Sequence, residues 1–294
     1  MKCKMCGGKA EIKLKAYRIQ LCKNCFRVFY ERRVEDDMKK YRIVRNGERI
    51  CVALSGGKDS IALIHVLNKL KDKFRISIEA LHLDLGIGAY SSKAESICRE
   101  VCRKLGIKLN VVRLSDYGFR IEDVDVKKVC SVCGNAKRYL MNRFTRENGF
   151  DALATGHNAD DILTNFFKNW IAGNMEWIDK QRPRTEGFDK IVTRIRPLFL
   201  RTDQENSLYV ESINLPALDT KCPYAVVDKW RRIIDDIEKE VPGFKQNFVR
   251  NMFKERKKDQ RKIKHCSICG EVSNVEICQF CRNVMRFGKG KIKH

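Results

Sequence analysis

Six consecutive residues, Ser55-Gly56-Gly57-Lys58-Asp59-Ser60, have the composition of a phosphate-binding loop. They follow the apolar run Ile50–Leu54, which predicts a buried strand, and precede apolar residues at helical spacing. Adjacent glycines allow a sharp turn in which several N–H groups meet one anion, and a helix N-terminus adds its positive dipole end. The spacing differs from the Walker A sequence, which needs a longer glycine loop. A Gly-Gly turn with no ligand is the alternative.

Eight of the fourteen cysteines form two quartets with zinc-ribbon spacing, one towards each end of the sequence. Each quartet has two Cys-x2-Cys pairs, and four thiolates close a tetrahedral structural site with no open position for catalysis. Neither ribbon has enough apolar residues to fold alone, so zinc is expected to supply much of its folding free energy. The predicted ligands are Cys3, Cys6, Cys22 and Cys25 for one zinc ion, and Cys266, Cys269, Cys278 and Cys281 for the other.

A separate pair, Cys130-x2-Cys133, has no second pair beside it, and the nearest unassigned downstream cysteine is Cys222. Three thiolates suit an iron–sulfur cluster whose fourth iron stays open to another ligand. A redox-active dithiol is the competing interpretation, because Cys-x2-Cys is also the thioredoxin-type spacing. The residues alone leave both open. The remaining cysteines are predicted to be buried small hydrophobes: Cys51, Cys98 and Cys102.

The chain is strongly basic, with 60 Lys and Arg against 37 Asp and Glu and a formal net charge of +23. Such a field attracts a polyanion, which predicts nucleic acid as the partner. A basic membrane-surface protein is the alternative, but no amphipathic anchor helix with bulky apolar residues is evident. No run of about twenty apolar residues exists, and no signal-peptide apolar segment is evident. We therefore expect a cytoplasmic protein without a membrane contact.

From Glu48 onward predicted strands and helices alternate, which indicates an α/β fold with a doubly wound parallel sheet. Such sheets bind ligands beyond the carboxyl ends of their strands, where residues 55–60 fall. Residues 173–192 are predicted to be an exposed basic excursion, and a helix is predicted over 226–241. The predicted domains are a zinc ribbon (1–28), a linker helix (29–47), a catalytic domain (48–241), a basic linker with a helix from about 246 to 264 (242–264), and a second ribbon with a basic tail (265–294).

Assembled, these segments resemble the PP-loop tRNA 2-thiolation enzymes of the TtuA/TtcA/Ncs6 group over nearly the full chain. The paired ribbons and Lys137-Arg138 make the chain more similar to the TtuA type. The implied fold is that of the PP-loop ATP pyrophosphatases, which is adenine nucleotide alpha hydrolase-like. The resemblance rests on residues 55–60, Cys130-Ser131-Val132-Cys133-Gly134, Thr155-Gly156-His157-Asn158-Ala159-Asp160-Asp161, Cys222-Pro223 and the terminal quartets.

The resemblance implies an ATP-dependent tRNA 2-thiouridine synthetase. Such an enzyme adenylates O2 of a uridine, releases pyrophosphate and lets sulfur displace AMP. The expected target is the T-loop uridine, with the wobble uridine as the alternative. The implied cofactors are ATP with Mg²⁺, two zinc ions, and a [4Fe–4S] cluster on Cys130, Cys133 and Cys222. The implied partners are tRNA, a second copy of the chain, and a sulfur donor that is either a ubiquitin-like thiocarboxylate protein or sulfide.

The candidate catalytic residues are Asp59 and Lys137. A carboxylate beside a phosphate site is expected to serve a metal or the reacting uridine, although Asp59 also suits a helix start. Lys137 lies one helical turn beyond Cys133 and would bring an ammonium group to charge developing on the α-phosphate. Asp161 would serve magnesium or the ATP pocket, with N-terminal capping as the alternative. The predicted ATP-binding residues are Ala53, Ser55, Gly56, Gly57, Lys58, Asp59, Ser60, Leu83, Lys137, Gly156 and Asp161.

A non-enzymatic, nucleic-acid-binding regulator that contains zinc and an iron–sulfur cluster is the second functional hypothesis. The loop at residues 55–60 argues against it, because a binding module has no use for a site that cleaves ATP. ATP-dependent release of AMP in the presence of tRNA separates the two hypotheses.

Overall fold

We describe the protein from a computed structural model that covers residues 1–174, 176–226, 228–254, 264–273 and 275–287. The chain divides into two compact units, Met1–Phe253 and Lys254–His294. Among the helices in these ranges, none has both the length and the apolar composition needed to cross a membrane.

The first unit begins with a small hairpin that leads directly into a long helix. Strands β1 (Ile12–Leu14) and β2 (Ile19–Leu21) pair antiparallel. Helix α1 (Lys23–Lys40) begins inside the predicted ribbon and continues through most of the predicted linker, so the predicted limit at residue 28 falls within one helix. The helix is anchored because apolar side chains recur every four residues along one face. These buried side chains are Phe26, Tyr30, Val34 and Met38.

The central sheet contains six strands within the described residues. They are β3 (Arg49–Ala53), β4 (Ser77–Asp84), β5 (Leu109–Arg113), β6 (Ala152–Ala154), β7 (Arg184–Thr185) and β8 (Thr193–Ile195), arranged in the order β5-β4-β3-β6-β8-β7. All neighbours pair parallel except the edge strand β7, which is antiparallel to β8. The predicted parallel sheet is confirmed, but the predicted excursion at residues 173–192 is partly wrong because it contributes this edge strand.

Helices cover both faces of the sheet. They are α2 (Lys58–Phe74), α3 (Gly88–Leu105), α4 (Val129–Glu147), α5 (Ala159–Ile171) and the short α6 (Glu176–Asp179). One face holds α2 and α3 in the main core, and on the other Met141 and Phe144 of α4 pack against Leu81 and Leu153. The strand order reverses at β3, so the loops after β3 and β6 border one crevice.

The three cysteines predicted as small hydrophobes are buried, which confirms that prediction. Cys51 of β3 and Cys98 of α3 have no exposed surface, and Cys102 of α3 is 2% exposed. Burial raises the pKa of Cys51 to about 12 and that of Cys102 to about 11. These thiols therefore stay protonated at neutral pH, and they are poor metal ligands.

The last part of the first unit contains α7 (Asp203–Ser212), α8 (Lys229–Glu240) and α9 (Phe244–Met252). The helix predicted over 226–241 corresponds to α8, which is shorter. The helix predicted from about 246 to 264 corresponds to α9, and its predicted end is wrong because α9 stops at Met252. Residues 255–263, which belong to the predicted basic linker, lie outside the described residues.

A buried arginine ties α1 to the start of α7. The fully buried Arg201 donates to Asp37 of α1 at 3.0 Å and to Glu205 of α7 at 3.3 Å. A buried cation needs such partners, because an uncompensated charge in the interior is strongly destabilising. The hairpin and α1 are therefore held to the sheet-bearing part of the same unit.

The second unit contains a small antiparallel pair and one helix among its described residues. Strands β9 (Lys264–His265) and β10 (Val272–Ser273) pair with each other, and α10 covers Gln279–Phe287.

Candidate active site

The loop after β3 turns sharply against α3 before α2 begins. Gly56 has φ +81°, and a Cβ there would lie 3.2 Å from the Ala94 carbonyl oxygen, so both backbone and space favour glycine. The Ser60 hydroxyl donates to the Gly57 carbonyl at 2.8 Å and accepts from the Ser55 N–H at 3.2 Å. The first N–H groups of α2 lack intrahelical partners, so the loop and the helix dipole suit an anion.

A second glycine brings the segment after β6 against the same helix start. A Cβ on Gly156 would lie 3.0 Å from the Asp59 carbonyl carbon and 3.1 Å from the Ser60 nitrogen. Such contacts are too close for a side chain without a backbone shift. The absence of a side chain at Gly156 thus allows the ends of β3 and β6 to form one site.

A cavity of about 400 Å³ opens at this crevice. The predicted ATP-site residues Gly56, Gly57 and Lys58 do not line it. Some residues that line this cavity had no predicted role in the sequence, among them Tyr90 and His157. A larger cavity of about 630 Å³ next to α7, α8 and α9 contains none of the predicted site residues. The predicted residues that line the 400 Å³ cavity are Ala53, Ser55, Asp59, Ser60, Leu83, Cys133, Lys137, Gly156, Asp161 and Cys222.

Lys58 is engaged by two carboxylates rather than free beside the loop. Its Nζ lies 2.9 Å from Asp59 Oδ2 and 2.8 Å from Asp203 Oδ1. Burial opposes the charge, but these carboxylates raise the pKa of Lys58, so it remains cationic. The other Asp59 oxygen accepts from the side-chain amides of Asn158 at 3.0 Å and Asn206 at 2.7 Å. Three donors therefore fix the position of the Asp59 carboxylate.

Asp161 forms the N-terminal capping contact considered for it and also lines the cavity. Asn158 is the N-cap of α5, and its backbone N–H donates to Asp161 Oδ2 at 3.1 Å in a capping box. Asp161 Oδ1 accepts from Arg231 of α8 at 2.9 Å, and Arg231 also pairs with Asp203. Despite burial, Arg231 and Lys58 lower the pKa of Asp203. A chain of alternating charges therefore links α2, α5, α7 and α8 at the cavity.

Two of the three central cysteines line the cavity, and the third contacts the segment that follows Cys222. Cys133 and Cys222 line the cavity, and Cys130 Sγ lies 3.5 Å from the Tyr224 carbonyl oxygen, two residues beyond Cys222. The Leu218 N–H donates to the Gly56 carbonyl at 2.8 Å, which ties the segment preceding Cys222 to the phosphate loop. A cubane cluster holds its thiolates farther apart than one zinc ion does. Three soft sulfur donors at a cavity wall fit such a cluster.

Lys137 lies in the same cavity, one helical turn after Cys133 on α4. Among the described residues it has no ion pair or side-chain hydrogen bond, in contrast to Lys58. Its ammonium group is therefore available to a ligand in the cavity.

Both terminal quartets gather into compact sulfur clusters. Cys3, Cys6, Cys22 and Cys25 have all their sulfur atoms within 4.8 Å of one another, and so do Cys266, Cys269, Cys278 and Cys281. The Sγ atoms of Cys6 and Cys22 are 3.8 Å apart, and those of Cys269 and Cys278 are 3.7 Å apart. A tetrahedral zinc ion with Zn–S bonds of about 2.3 Å needs sulfurs about 3.8 Å apart. Each donor set therefore fits a structural zinc ion.

Backbone amides prepare one thiol of each quartet for metal binding. The N–H of Cys22 is the main cause that lowers the pKa of Cys3 to about 6, and the N–H groups of Cys269 and Cys278 lower that of Cys266 to about 6. A thiolate is the form that binds zinc, so these amides favour the binding-competent state.

The fold and site define an α/β protein in which residues of an anion-binding loop and two cysteines, Cys133 and Cys222, line one cavity. Residues 29–213 match the family described as the PP-loop domain. The tRNA-5-methyluridine(54) 2-sulfurtransferase of Pyrococcus horikoshii is 37% identical over 292 residues, covering 96% of this chain and 93% of the relative. The enzyme of the same name from Thermotoga maritima is 34% identical over 307 residues, covering 100% and 99%.

Among solved structures, the U34-tRNA thiolase NcsA from Methanococcus maripaludis with its [4Fe-4S] cluster is similar over almost the whole chain. Its TM-score is 0.74 at 28% identity, covering 99% of this chain and 98% of that one. The chain belongs to the PP-loop family and, within it, to the tRNA 2-sulfurtransferases. The family predicted from the sequence is confirmed.

The sequence analysis missed the polar partners that surround Asp59 and Lys58. For Asn158 a signal existed, because Asn158 and Asp161 have capping-box spacing. Thr202 caps α7 in a capping box with Glu205, so Asp203 is the first residue of a helix that the sequence could predict. That signal locates the helix start but gives Asp203 no functional role. Asn206 and Arg231 carry no local signal, since they reach the site only through tertiary packing.

Proposed function

We propose that this protein uses ATP to replace the 2-oxygen of a tRNA uridine with sulfur, and that the uridine lies in the T loop. The observation that carries the proposal is one cavity that joins Asp59 and Ser60 of the phosphate loop to Cys133 and Cys222. An activating nucleotide and a sulfur-delivering group must both reach the same carbon, so they need a common chamber. A nucleic-acid-binding regulator has no need for this juxtaposition.

In the first step the uridine O2 attacks the α-phosphorus of ATP, the α–β phosphoanhydride bond breaks, and pyrophosphate leaves. The loop amides with Ser55 and Ser60 would hold phosphate oxygens, and Ala53 and Leu83 border the space for the adenine. Lys137 would stabilise the charge that develops on the phosphoryl oxygens. Asp59, fixed by three donors, would orient the reacting groups or a magnesium ion.

In the second step sulfur attacks C2 of the adenylated uridine, the C2–O bond breaks, and AMP leaves with the former 2-oxygen. A cluster on Cys130, Cys133 and Cys222 would supply an open iron position for sulfur. Tyr90 and Leu85 line the same cavity and would give this region apolar walls. Lys137 follows Cys133 by one helical turn and lines the same cavity as Asp59 and Ser60, so it can serve both steps.

The relatives favour the T loop over the wobble position. The curated relatives at 37%, 34% and 30% identity are named for methyluridine 54. The relatives named cytoplasmic tRNA 2-thiolation protein 1 are 29% or 28% identical, and the solved U34 thiolase is 28% identical.

We expect tRNA from cells without this protein to lack 2-thiolation at the T-loop position only. Loss at the wobble position would support the alternative, and unchanged nucleosides would reject the enzyme.

The terminal quartets at residues 1–28 and 265–294 are proposed zinc ribbons that help to hold tRNA. Elemental analysis of protein purified without added metal should find about two zinc ions per chain. Replacing both Cys3 and Cys22 with Ser should remove one zinc ion and lower the stability of the first unit, because α1 begins inside this site. Unchanged zinc content would contradict the assignment. Cys102→Ser, which changes a buried cysteine outside both quartets, is the control for zinc content.

A nucleotide with its metal ion, a sulfur donor and a second copy of the chain complete the proposal. ATP would bind with magnesium, for which Asp59 and Asp161 are the candidate carboxylates in the cavity. The sulfur donor would be a ubiquitin-like thiocarboxylate protein or sulfide, and the enzyme would work as a homodimer.

A further inference from the structure

Arg194 of β8 is a half-buried cation without a counter-ion. Within the described ranges of the chain, its side chain makes no hydrogen bond or ion pair, and its Nε is buried without a partner. Other buried arginines of this protein are paired, as Arg201 is with Asp37 and Glu205, and Arg184 is with Glu48. Buried polar groups are normally satisfied, and a buried charge is costly when it is not. Arg194 is therefore arranged for a partner from outside the chain.

Two further arginines lie beside Arg194, and neither has a carboxylate partner. Arg138 of α4 bonds only the side-chain carbonyl oxygen of Asn135. Arg196 donates to the carbonyl oxygens of Arg182 at 2.7 Å and Lys180 at 2.9 Å. Burial and the charge of Arg138 lower the pKa of Arg194, and burial and Arg194 lower that of Arg196 to about 10. Three guanidinium groups therefore lie near one another, and no carboxylate among the described residues pairs with any of them.

Backbone geometry supports this grouping independently. The Asn142 side chain of α4 bonds the Lys190 carbonyl oxygen at 2.7 Å and the Val192 N–H at 3.0 Å. Arg138 lies one helical turn before Asn142, and Arg194 lies two residues after Val192, so both extend from this contact towards the carboxyl end of the sheet. This is the edge at which the cavity opens.

The three arginines do not line the cavity, but two residues near them, His157 and Lys137, do. His157 lines the cavity, and burial, together with Arg196 and Arg194, lowers its pKa, so it is neutral and adds no charge. Lys137, the neighbour of Arg138 in sequence, also lines the cavity. The phosphate loop follows β3, on the opposite side of β6, so ATP phosphates have a separate binding surface.

We propose that Arg194 and Arg138 bind a backbone phosphate of the substrate RNA next to the nucleotide that enters the cavity. The inference rests on the proposed function, since it assumes an RNA substrate. Guanidinium groups bind phosphate oxygens through two parallel N–H donors, which fixes position as well as charge.

The test measures binding of an unmodified tRNA transcript to the full chain carrying Arg194→Gln. We expect an affinity loss of about tenfold, the size of one lost charge-assisted contact. The slope of log affinity against log salt should fall by roughly 0.7 to 0.9, the value for one phosphate contact. Affinity for ATP should stay unchanged. The midpoint of thermal unfolding should not fall, because the substitution removes an unpaired buried charge. If Arg194 had a structural role instead, its replacement would lower this midpoint.

The matched control is Arg143→Gln, which removes the same charge from α4 at a residue already paired with Glu147 at 2.9 Å. It should leave tRNA affinity within about twofold, because exposed ion pairs contribute little. Unchanged tRNA affinity and salt slope in Arg194→Gln would overturn the inference, as would a loss confined to ATP. Failure of the unaltered chain to bind and thiolate tRNA would instead reject the proposed function.

Discussion

A Lys137→Gln enzyme is expected to bind ATP with nearly unchanged affinity and to release AMP about 10²–10³-fold more slowly with tRNA present. Lys137 lines the cavity and has no side-chain partner among the described residues, so its charge is available to the reaction. Lys58 differs because Asp59 and Asp203 already neutralise it. A cation that stabilises charge appearing only as the α–β bond breaks affects the rate of AMP release more than the affinity for ATP.

The measurement is AMP and pyrophosphate release during single turnover, together with equilibrium binding of ATP. Lys128→Gln is the control, because Lys128 precedes α4, is exposed and does not line the cavity. A Lys137→Gln enzyme with a normal release rate would remove Lys137 from the mechanism. An equal loss of rate and ATP affinity would make it a ground-state binding residue.

The parts of the fold that the sequence predicted are those with a local pattern. The apolar run before Ser55, the double glycine and the helical spacing from Ile61 predicted β3, the loop and α2 within a few residues. Short strands carry no such pattern. Strands β7 and β8 have two and three residues, too few for an alternation to be detected, and tertiary pairing places them in the sheet.

The candidate site divides in the same way. Cysteine spacing predicted both quartets because two-residue gaps bring thiols together locally, and the structure gathers them. The carboxylate and amides that hold Lys58 and Asp59 come from residues roughly 100 to 150 positions later. Tertiary packing brings them there: α7 packs against α2, and the segment at Gly156 lies against the start of α2. Of these residues only Asn158 is itself part of a local signal, its capping-box spacing with Asp161.

The domain limits follow the same logic. A high density of charge in residues 31–45 predicted a separate linker helix, but α1 begins at Lys23 and its buried face belongs to the main core. Charged residues on one face concealed the apolar face at four-residue spacing. The predicted division at residue 28 therefore stays a sequence-based prediction, while the first unit extends from Met1 to Phe253.

Replacing any of Cys130, Cys133 or Cys222 with Ala is expected to abolish tRNA thiolation and to lower bound iron to near zero after anaerobic reconstitution. Zinc content should stay at about two per chain, because each quartet is a separate, complete set of four thiolates. Iron and zinc are measured on the same sample. Cys98→Ala, which changes a fully buried cysteine of α3, should leave the iron content unchanged.

The cysteine substitutions alone do not separate a cluster from a dithiol, because both use thiols at these positions. A dithiol needs two cysteines and a reductant to restore them in each cycle, whereas a cluster needs three thiolates and keeps one iron open. The structure brings a third cysteine to the pair: Cys222 lines the cavity with Cys133, and Cys130 contacts the Tyr224 carbonyl. This third thiol has no role in the dithiol account.

Removal of iron is therefore the decisive experiment. Reconstituted enzyme treated with a chelator should lose thiolation while AMP release with tRNA continues, because the phosphate loop and Lys137 do not depend on iron. Restored iron and sulfide should return thiolation, and the visible absorption of the cluster should return with it. If the iron-free enzyme thiolates tRNA at the full rate, the cluster is dispensable, and persulfide or disulfide chemistry on Cys130 and Cys133 becomes the better account.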